Sequence, residues 1–277
     1  MNVTIYTDPG CQFGFNAQRQ ELQLLWHYGH AAEVVWRMIV LVERSSSFEE
    51  RGLTSELVLG TRRRLSGLYG MPMGLEPLTR VAATVDACRA YVGARRHAPD
   101  RAFALLRALY RRAHSDQAPL DEAETIAGAA EDAGLPAGAI GAWLGDEEVE
   151  AALRADMADA RDPLPEALAL PHKLAHSDRR LRYASASAVF EHEDRRCIVP
   201  GFQPFAAYEV AVANVAPQIE RRDAPEAVEE VLAWAPYALA TAEVAELRGI
   251  GIDEARGELE RAGATFTPSA TDGYWTA

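Results

Sequence analysis

A single cysteine near the start of the chain lies where a reactive thiol could form. Cys11 follows Asp8, Pro9 and Gly10, which end a strand-like run, and it precedes a stretch with helical spacing. At the first turn of a helix, unpaired backbone N–H groups and the positive end of the helix dipole favour a negative charge. The sequence therefore predicts a nucleophilic thiolate at Cys11, with a pKa below that of a free thiol, suited to thiol exchange.

The other two cysteines have simpler interpretations. Cys88 lies on the apolar stripe of a predicted helix, so it is interpreted as a buried small side chain. Cys197 falls in a predicted strand, where sheet packing is the first interpretation and a long-range pair with Cys11 is the alternative. Three cysteines are an odd and sparse set, which favours reduced thiols over a disulfide framework.

Two histidines have the spacing of a metal-binding pair. His172 and His176 are four residues apart with Asp178 nearby, but no third ligand follows at a diagnostic spacing. No metal site is therefore predicted. Lys173 is the only lysine of the chain, and Schiff-base chemistry is not expected of it.

Hydrophobic periodicity predicts the elements that hold Cys11. Residues 3–7 alternate apolar and polar side chains and residues 33–42 are rich in β-branched residues, so both are predicted to be buried strands. Residues 11–28 carry apolar side chains at helical spacing. Three polar residues of this helix are placed to face water: Gln18, Arg19 and Gln23. A strand, a helix and a strand in this order predict two parallel strands with a right-handed crossover.

The rest of the chain changes its pattern twice. From about Phe48 to residue 160 the periodicity is helical throughout, which predicts an all-helical block. Strand character returns at residues 182–192 and 196–199, which predicts an antiparallel hairpin, and a helix follows. After Pro217 the pattern predicts short helices and a small β wing, an arrangement that resembles a winged helix.

Composition and charge exclude several classes of protein. The 277 residues include 28 Lys+Arg and 41 Asp+Glu, a net charge of −13 that repels nucleic-acid phosphates and anionic membranes. The C-terminal segment 217–277 has five arginines and twelve acidic residues, so it is expected to serve packing or dimerisation rather than DNA binding. No stretch reaches the roughly 20 apolar residues of a membrane span, and no secretory signal precedes the first strand. A cytoplasmic location is expected.

The order of elements and the Cys11 segment together resemble the DsbA-like thioredoxin-fold proteins, in particular their FrnE-like cytoplasmic branch of actinobacterial type. Residues 199–217, VPGFQPFAAYEVAVANVAP, are similar to the last strand and helix of that branch. The resemblance implies an α/β thioredoxin-like fold with a large helical insertion between its βαβ and ββα halves. It implies a thioredoxin-like domain of residues 1–44 and 180–217, an insertion of residues 45–179 and a C-terminal extension of residues 218–277.

The chain departs from the family at two points. The Cys-x-x-Cys motif reads Cys11-Gln12-Phe13-Gly14, so glycine replaces the second cysteine and no fast intramolecular disulfide can form. The family also carries a cis-proline opposite its active-site cysteine. We place that position at Ala186, within a facing loop formed by Ser185, Ala186 and Ser187, and Pro200 is the competing position.

Together, the resemblance and these departures imply a protein of the thiol-disulfide oxidoreductase family with a monothiol site. Cys11 is expected to act as a lone nucleophile or as the partner of a cofactor thiol, and Phe13 could line a substrate groove. The site has an active-site segment around Cys11: Asp8, Pro9, Gly10, Gln12, Phe13 and Gly14. No cofactor is strictly required, although a low-molecular-weight thiol of the mycothiol or glutathione type is the expected candidate.

Two other functions stay open at this point. One is a non-catalytic scaffold that binds a small molecule or a protein in the old active-site groove. The other is a thiol-dependent isomerase or transferase. The expected partners are a small-molecule thiol or a protein thiol and, in a homodimer, a second copy of the chain; nucleic acid and membranes are not expected.

Overall fold

The computed structural model describes residues 1–46, 54–177 and 180–277. Its strands, in chain order, are β1 (Asn2–Thr7), β2 (Glu33–Met38), β3 (Ala175–Ser177), β4 (Arg180–Arg182), β5 (Ser187–His192), β6 (Arg195–Val199), β7 (Leu239–Ala240), β8 (Thr265–Ser269) and β9 (Asp272–Thr276). Phe48, where the helical block was predicted to begin, and Asp178 lie outside the described residues.

The helices lie mainly between β2 and β3. In chain order they are α1 (Gln12–Tyr28), α2 (Ser55–Tyr69), α3 (Val85–His97), α4 (Pro99–His114), α5 (Ala123–Asp132), α6 (Ala139–Leu144), α7 (Glu147–Ala160), α8 (Pro165–Leu168), α9 (Phe205–Val215), α10 (Val228–Trp234), α11 (Thr241–Arg248) and α12 (Ile252–Arg261). None of these described helices is long and apolar enough to cross a membrane. The proposed division into three domains stays a prediction.

The central sheet has the strand order β2-β1-β5-β6. β1 and β2 are parallel, and β5 runs antiparallel to both β1 and β6, so the predicted parallel pair and the predicted hairpin are both present. β2 ends at Met38 rather than at residue 42, because the backbone N–H of Leu41 turns to the carboxylate of Asp8, 2.7 Å away. β5 begins only at Ser187, because Arg182 belongs to the separate β3-β4 hairpin.

The two faces of the sheet pack into different apolar clusters. Val3 and Ile5 of β1 point toward the α1 side, where they join Phe15 in the main core. Tyr6 points to the other face, where its ring stacks on Tyr183 with centroids 4.3 Å apart. Burying one large apolar side chain contributes about 1.5–3 kcal/mol to the free energy of folding. Apolar packing on both faces therefore stabilises β1 in its position next to the start of α1.

A third cluster joins α1 to the C-terminal segment. Leu22 and Trp26 of α1 pack against Val228 and Val231 of α10 and against Trp275 of β9. Because this segment lies on α1, the expectation that the polar residues of that helix face water is wrong for two of the three. Gln18 and Arg19 are buried, and each forms a hydrogen bond to a residue far away in the sequence: Arg107 and Glu246, respectively.

Candidate functional site

Cys11 lies at the junction between β1 and α1. It is the N-cap residue of α1, where its backbone N–H bonds to the Asp8 carbonyl at 2.9 Å and its carbonyl accepts the first helical hydrogen bond, from Phe15. The position at the helix start is therefore as predicted. The residue is half-buried, and its neighbour Phe13 contacts Phe202 with ring centroids 6.0 Å apart.

The fully buried carboxylate of Asp8 fixes the loop before Cys11. One oxygen accepts from the backbone N–H of Gly10 at 2.7 Å, and the other accepts from the Thr84 hydroxyl at 2.7 Å and from the Leu41 backbone. Burial raises the pKa of Asp8, while these donors oppose the shift. A Cβ on Gly10 would press against Thr84, so this position requires glycine.

The loop before β5 faces Cys11 from the other side. The described backbone has its cis peptide bond at Ser185–Ala186, whereas the peptide bond before Pro200 is trans. The Ser185 hydroxyl contacts both the Cys11 sulfur and the Thr7 hydroxyl, the latter at 3.0 Å. Ser187 has a different role, because its hydroxyl donates to the Ala184 carbonyl and accepts from the backbone N–H of Gly201, 2.8 Å away.

Gly14 is the position at which the resemblance predicts a second cysteine, and other side chains fill the space beside it. The Tyr110 hydroxyl of α4 forms a hydrogen bond to the Thr7 hydroxyl at this point. A Cβ built on Gly14 would lie 2.7 Å from Thr7 Oγ1, 2.9 Å from Ser185 Oγ and closer still to the Tyr110 hydroxyl. Three hydroxyl groups thus fill the space that a side chain at Gly14 would need, and a larger residue there would have to displace them.

The acidity of Cys11 is opposite to the expectation. Burial, the largest effect, raises the pKa of the Cys11 thiol above its usual value, and the charge of Asp8 raises it further. Hydrogen bonds from the Ser185 hydroxyl and from the backbone N–H groups of Gly14 and Phe13 lower it, but they do not outweigh burial. The raised pKa contradicts the predicted low-pKa thiolate and favours a protonated Cys11 thiol, which can donate a hydrogen bond.

We expect iodoacetamide to alkylate Cys11 slowly at pH 7. Since only the thiolate reacts, the rate should keep rising with pH beyond about 8.5, where the curve of a free thiol passes its midpoint. Mass spectrometry of the labelled peptides between pH 5 and 11 measures this rate for each cysteine.

Cys197, whose pKa burial also raises, serves as the internal control. A rate for Cys11 that levels off below pH 8 would contradict this prediction. The same shift affects stability: because the folded state holds the proton more tightly, the free energy of unfolding should fall as pH rises above the pKa of the unfolded thiol.

A pocket of about 550 Å³ opens beside Cys11, between the α1 start and the helices that follow β2. Gln12 lines it and donates from its amide to the Val58 carbonyl at 3.1 Å. Arg62 of α2 and His114 of α4 also line it, and both are buried. Tyr110, Arg62 and His114 were not predicted to be functional residues. Their sequence pattern offers one indication, which is that a polar or charged residue lies on the apolar side of a helix.

The other two cysteines do not pair with Cys11. Cys88 is fully buried, and its thiol donates to the Asp8 carboxylate at 3.6 Å. Cys197 pairs with Phe190, which pairs with Val3, so it lies about four residues, or roughly 13 Å, down the sheet from the Cys11 end. That separation excludes a disulfide with Cys11 without large movement. The residues that the structure describes contain no cluster of metal-binding side chains.

Comparisons with known proteins agree with this architecture. The DSBA-like thioredoxin domain matches residues 2–163. Cytosolic disulfide reductase DsbM from Pseudomonas aeruginosa, also solved with GSH, is 15% identical, with a TM-score of 0.53 over 72% of this chain and 89% of DsbM. A probable DsbA oxidoreductase from Streptomyces coelicolor is 22% identical, with a TM-score of 0.55 over 79% of this chain and 91% of that protein.

A third solved structure is an isomerase. 2-Hydroxychromene-2-carboxylate isomerase is 15% identical, with a TM-score of 0.50 over 77% of this chain and 95% of the isomerase. A search of curated protein sequences found no match. At these identities the solved structures show the fold alone, and they confirm the predicted α/β thioredoxin-like architecture. Because the matched domain spans more than half of the chain and includes β1, Cys11 and α1, this protein belongs to the DSBA-like thioredoxin-domain family.

Proposed function

We propose that this protein is an enzyme of isomerase or transferase type that works with a low-molecular-weight thiol, and that Cys11 donates a hydrogen bond to the sulfur of that thiol. The observation that carries the proposal is the filled space at Gly14, where the hydroxyls of Tyr110, Thr7 and Ser185 take the place of a resolving cysteine. A site rebuilt in this way has lost the geometry for dithiol exchange but keeps a protonated thiol at the helix start.

The residues around the Cys11 sulfur suit a second sulfur that carries negative charge. The Cys11 thiol and the Ser185 hydroxyl can both donate hydrogen bonds there, and the helix start adds its dipole. A bound thiol of the glutathione or mycothiol type would supply the nucleophile for addition to the substrate. Hydrogen bonds from the Cys11 thiol and the Ser185 hydroxyl would lower the pKa of that sulfur, and the apolar pocket wall that includes Phe13 would keep water from it.

The raised pKa of Cys11 argues against the lone-nucleophile alternative. A thiol that keeps its proton at neutral pH attacks slowly, whereas a hydrogen-bond donor needs that proton. The monothiol character and the cytoplasmic location predicted from the sequence are part of the same proposal. The three cysteines, all unpaired, are compatible with a reducing compartment.

We expect Cys11→Ser to retain thiol binding and Cys11→Ala to lose much of it. Serine keeps a hydroxyl donor at the helix start, whereas alanine removes the donor. Reduced glutathione and mycothiol are titrated separately by calorimetry. The absorbance of their thiolate near 240 nm, followed against pH, gives the pKa of the bound thiol. Since a hydrogen bond to a charged group is worth about 1.5–3 kcal/mol, Cys11→Ala should raise that pKa by about 1–2 units.

Cys197→Ser is the matched control, since it removes a half-buried thiol from the sheet and should change neither quantity. If Cys11→Ser loses binding or activity as fully as Cys11→Ala, Cys11 acts as a nucleophile and the donor role is wrong. Failure of both thiols to bind the unaltered protein would leave the scaffold function as the better explanation.

A further inference from the structure

The pocket beside Cys11 has a buried cation in its wall. Arg62 lies on α2 with 6% of its surface exposed, and its side chain lines the pocket. One guanidinium nitrogen donates to the Ala113 carbonyl at 3.0 Å and the other, at 3.5 Å, reaches the Gly74 carbonyl. Within the described ranges, the Nε atom has no hydrogen-bond partner. Two neutral carbonyl groups therefore position the guanidinium, and neither of them carries a charge that would balance it.

No carboxylate among the described residues forms an ion pair with Arg62. Burial lowers its pKa to about 10, and no carboxylate in the described part of the chain opposes the shift. The next two residues of α2, Arg63 and Arg64, are exposed to solvent, so the burial of Arg62 is specific to its position. An unpaired buried charge is costly, and a pocket wall is where a ligand can compensate it.

His114 of α4 lines the same pocket wall as a neutral ring, so it adds no second positive charge there. Its Nε2 lies 3.1 Å from the Pro9 carbonyl, an acceptor, so this nitrogen carries the proton. Burial and the charge of Arg62 lower the pKa of His114 well below its usual value, so the ring is neutral and its Nδ1 has no partner. The same pocket wall thus contains a cation and an unpartnered acceptor, linked through Pro9 to the loop that holds Cys11.

The rest of the pocket restricts the ligand. Its walls are mainly apolar: Phe13, Leu57, Val58, Leu78, Val81 and Leu120. Two exposed acidic residues, Glu76 and Asp116, also line the pocket. Arg80 also lines the pocket, but it is exposed and already forms ion pairs with Asp121 and Glu122. Arg62 is therefore the cation available to a ligand, and together with the net charge of −13 it favours a ligand with a single negative charge over a phosphate dianion.

We propose that this pocket binds a small, mainly apolar monocarboxylate, with the carboxylate on Arg62 and the apolar body directed toward Cys11. The inference rests on the proposed function in one respect: it identifies the substrate class of the same site. A carboxylate could also belong to the thiol cofactor, so the two sources are tested separately.

The test is calorimetric binding of 1-naphthoate, with the neutral 1-naphthamide as its isostere, and of reduced glutathione in separate titrations. The unaltered protein should bind naphthoate at least about tenfold more tightly than naphthamide. Arg62→Met should abolish that preference. Arg62→Lys, which keeps the positive charge, should retain part of the preference for naphthoate. This variant also provides a test if Arg62→Met does not fold. Arg63→Met, one residue along the same helix, is the exposed control and should leave the preference unchanged.

The outcomes separate the two proposals. Equal binding of naphthoate and naphthamide to the unaltered protein would overturn the carboxylate site. An effect of Arg62→Met on glutathione alone would also overturn it and assign Arg62 to the cofactor. A naphthoate preference that depends on Arg62, with no binding of any thiol, would support the carboxylate site and contradict the proposed thiol-dependent function.

Discussion

Gly14→Cys, which restores the Cys-x-x-Cys motif, is expected to destabilise the protein by about 3 kcal/mol or more and to leave disulfide reductase activity absent. The new Cβ would press on Thr7 Oγ1, Ser185 Oγ and the Tyr110 hydroxyl at distances that real side chains do not show. Overpacking in a buried site costs about 1–3 kcal/mol, and displacing hydrogen-bonded hydroxyls adds to the loss. Urea unfolding followed by circular dichroism measures the free energy, and insulin reduction measures the activity.

The same helix geometry at an open position provides the control. Gly60 and Gly67 lie inside α2, where an added Cβ would meet no other atom within 4 Å, so Gly60→Ala and Gly67→Ala should stabilise the protein by about 0.5–1 kcal/mol. Gly14→Ala should destabilise it instead. Combining Gly14→Ala with Tyr110→Phe removes the nearest hydroxyl, and the double variant should lose less than the two single variants together. A Gly14→Cys protein that is stable and reduces insulin would contradict this prediction, because the site would then accommodate a second cysteine and support dithiol exchange.

The start of the chain was predictable because its determinants are local. Val3 and Ile5 alternate with polar residues, and Cys11 follows a proline and a glycine, so the strand, the loop and the helix start could be placed from neighbouring residues alone. The Ser185–Ala186 position followed from the resemblance to the family, and the structure places the cis peptide bond there.

The acidity and surroundings of Cys11 were not predictable in the same way. The helix dipole, which the sequence does indicate, favours a thiolate, but burial acts in the opposite direction and is larger. That burial comes from parts of the chain far from Cys11 in the sequence: Tyr110 belongs to α4, about 100 residues later, and Ser185 to the loop before β5. Arg62 is one of three consecutive arginines, and only the packing of α2 shows which one faces inward.

The burial of the polar side of α1 was likewise not predictable from neighbouring residues. Gln18 and Arg19 have the spacing of a solvated face, but a segment more than 200 residues later covers that face. At the centre of the covered region, the guanidinium of Arg107 on α4 binds both carboxylate oxygens of Glu243 on α11, at 2.8 and 2.9 Å. Arg107 also bonds to Gln18, so a single buried ion pair connects α1, α4 and the C-terminal segment.

Glu243→Gln is therefore expected to destabilise the protein by about 3–5 kcal/mol. The side chain of Glu243 is fully buried and that of Arg107 is 7% exposed, so loss of the carboxylate leaves an uncompensated charge in the interior. Glutamine keeps an oxygen that can accept from the backbone N–H of Ala240, as Glu243 does at 2.8 Å, so the effect reports the charge rather than the cap. Thermal and urea unfolding measure the loss.

The exposed ion pair between Arg96 and Glu148 is the matched control, and Glu148→Gln should change stability by less than about 1 kcal/mol. In the double variant Arg107→Met with Glu243→Gln, the loss should be smaller than the sum of the two single losses, because neither partner is left charged and alone. Additive losses would mean that the carboxylate does not compensate Arg107. A coupled pair would explain how the C-terminal segment holds α4, which carries Tyr110 and His114, against the start of α1.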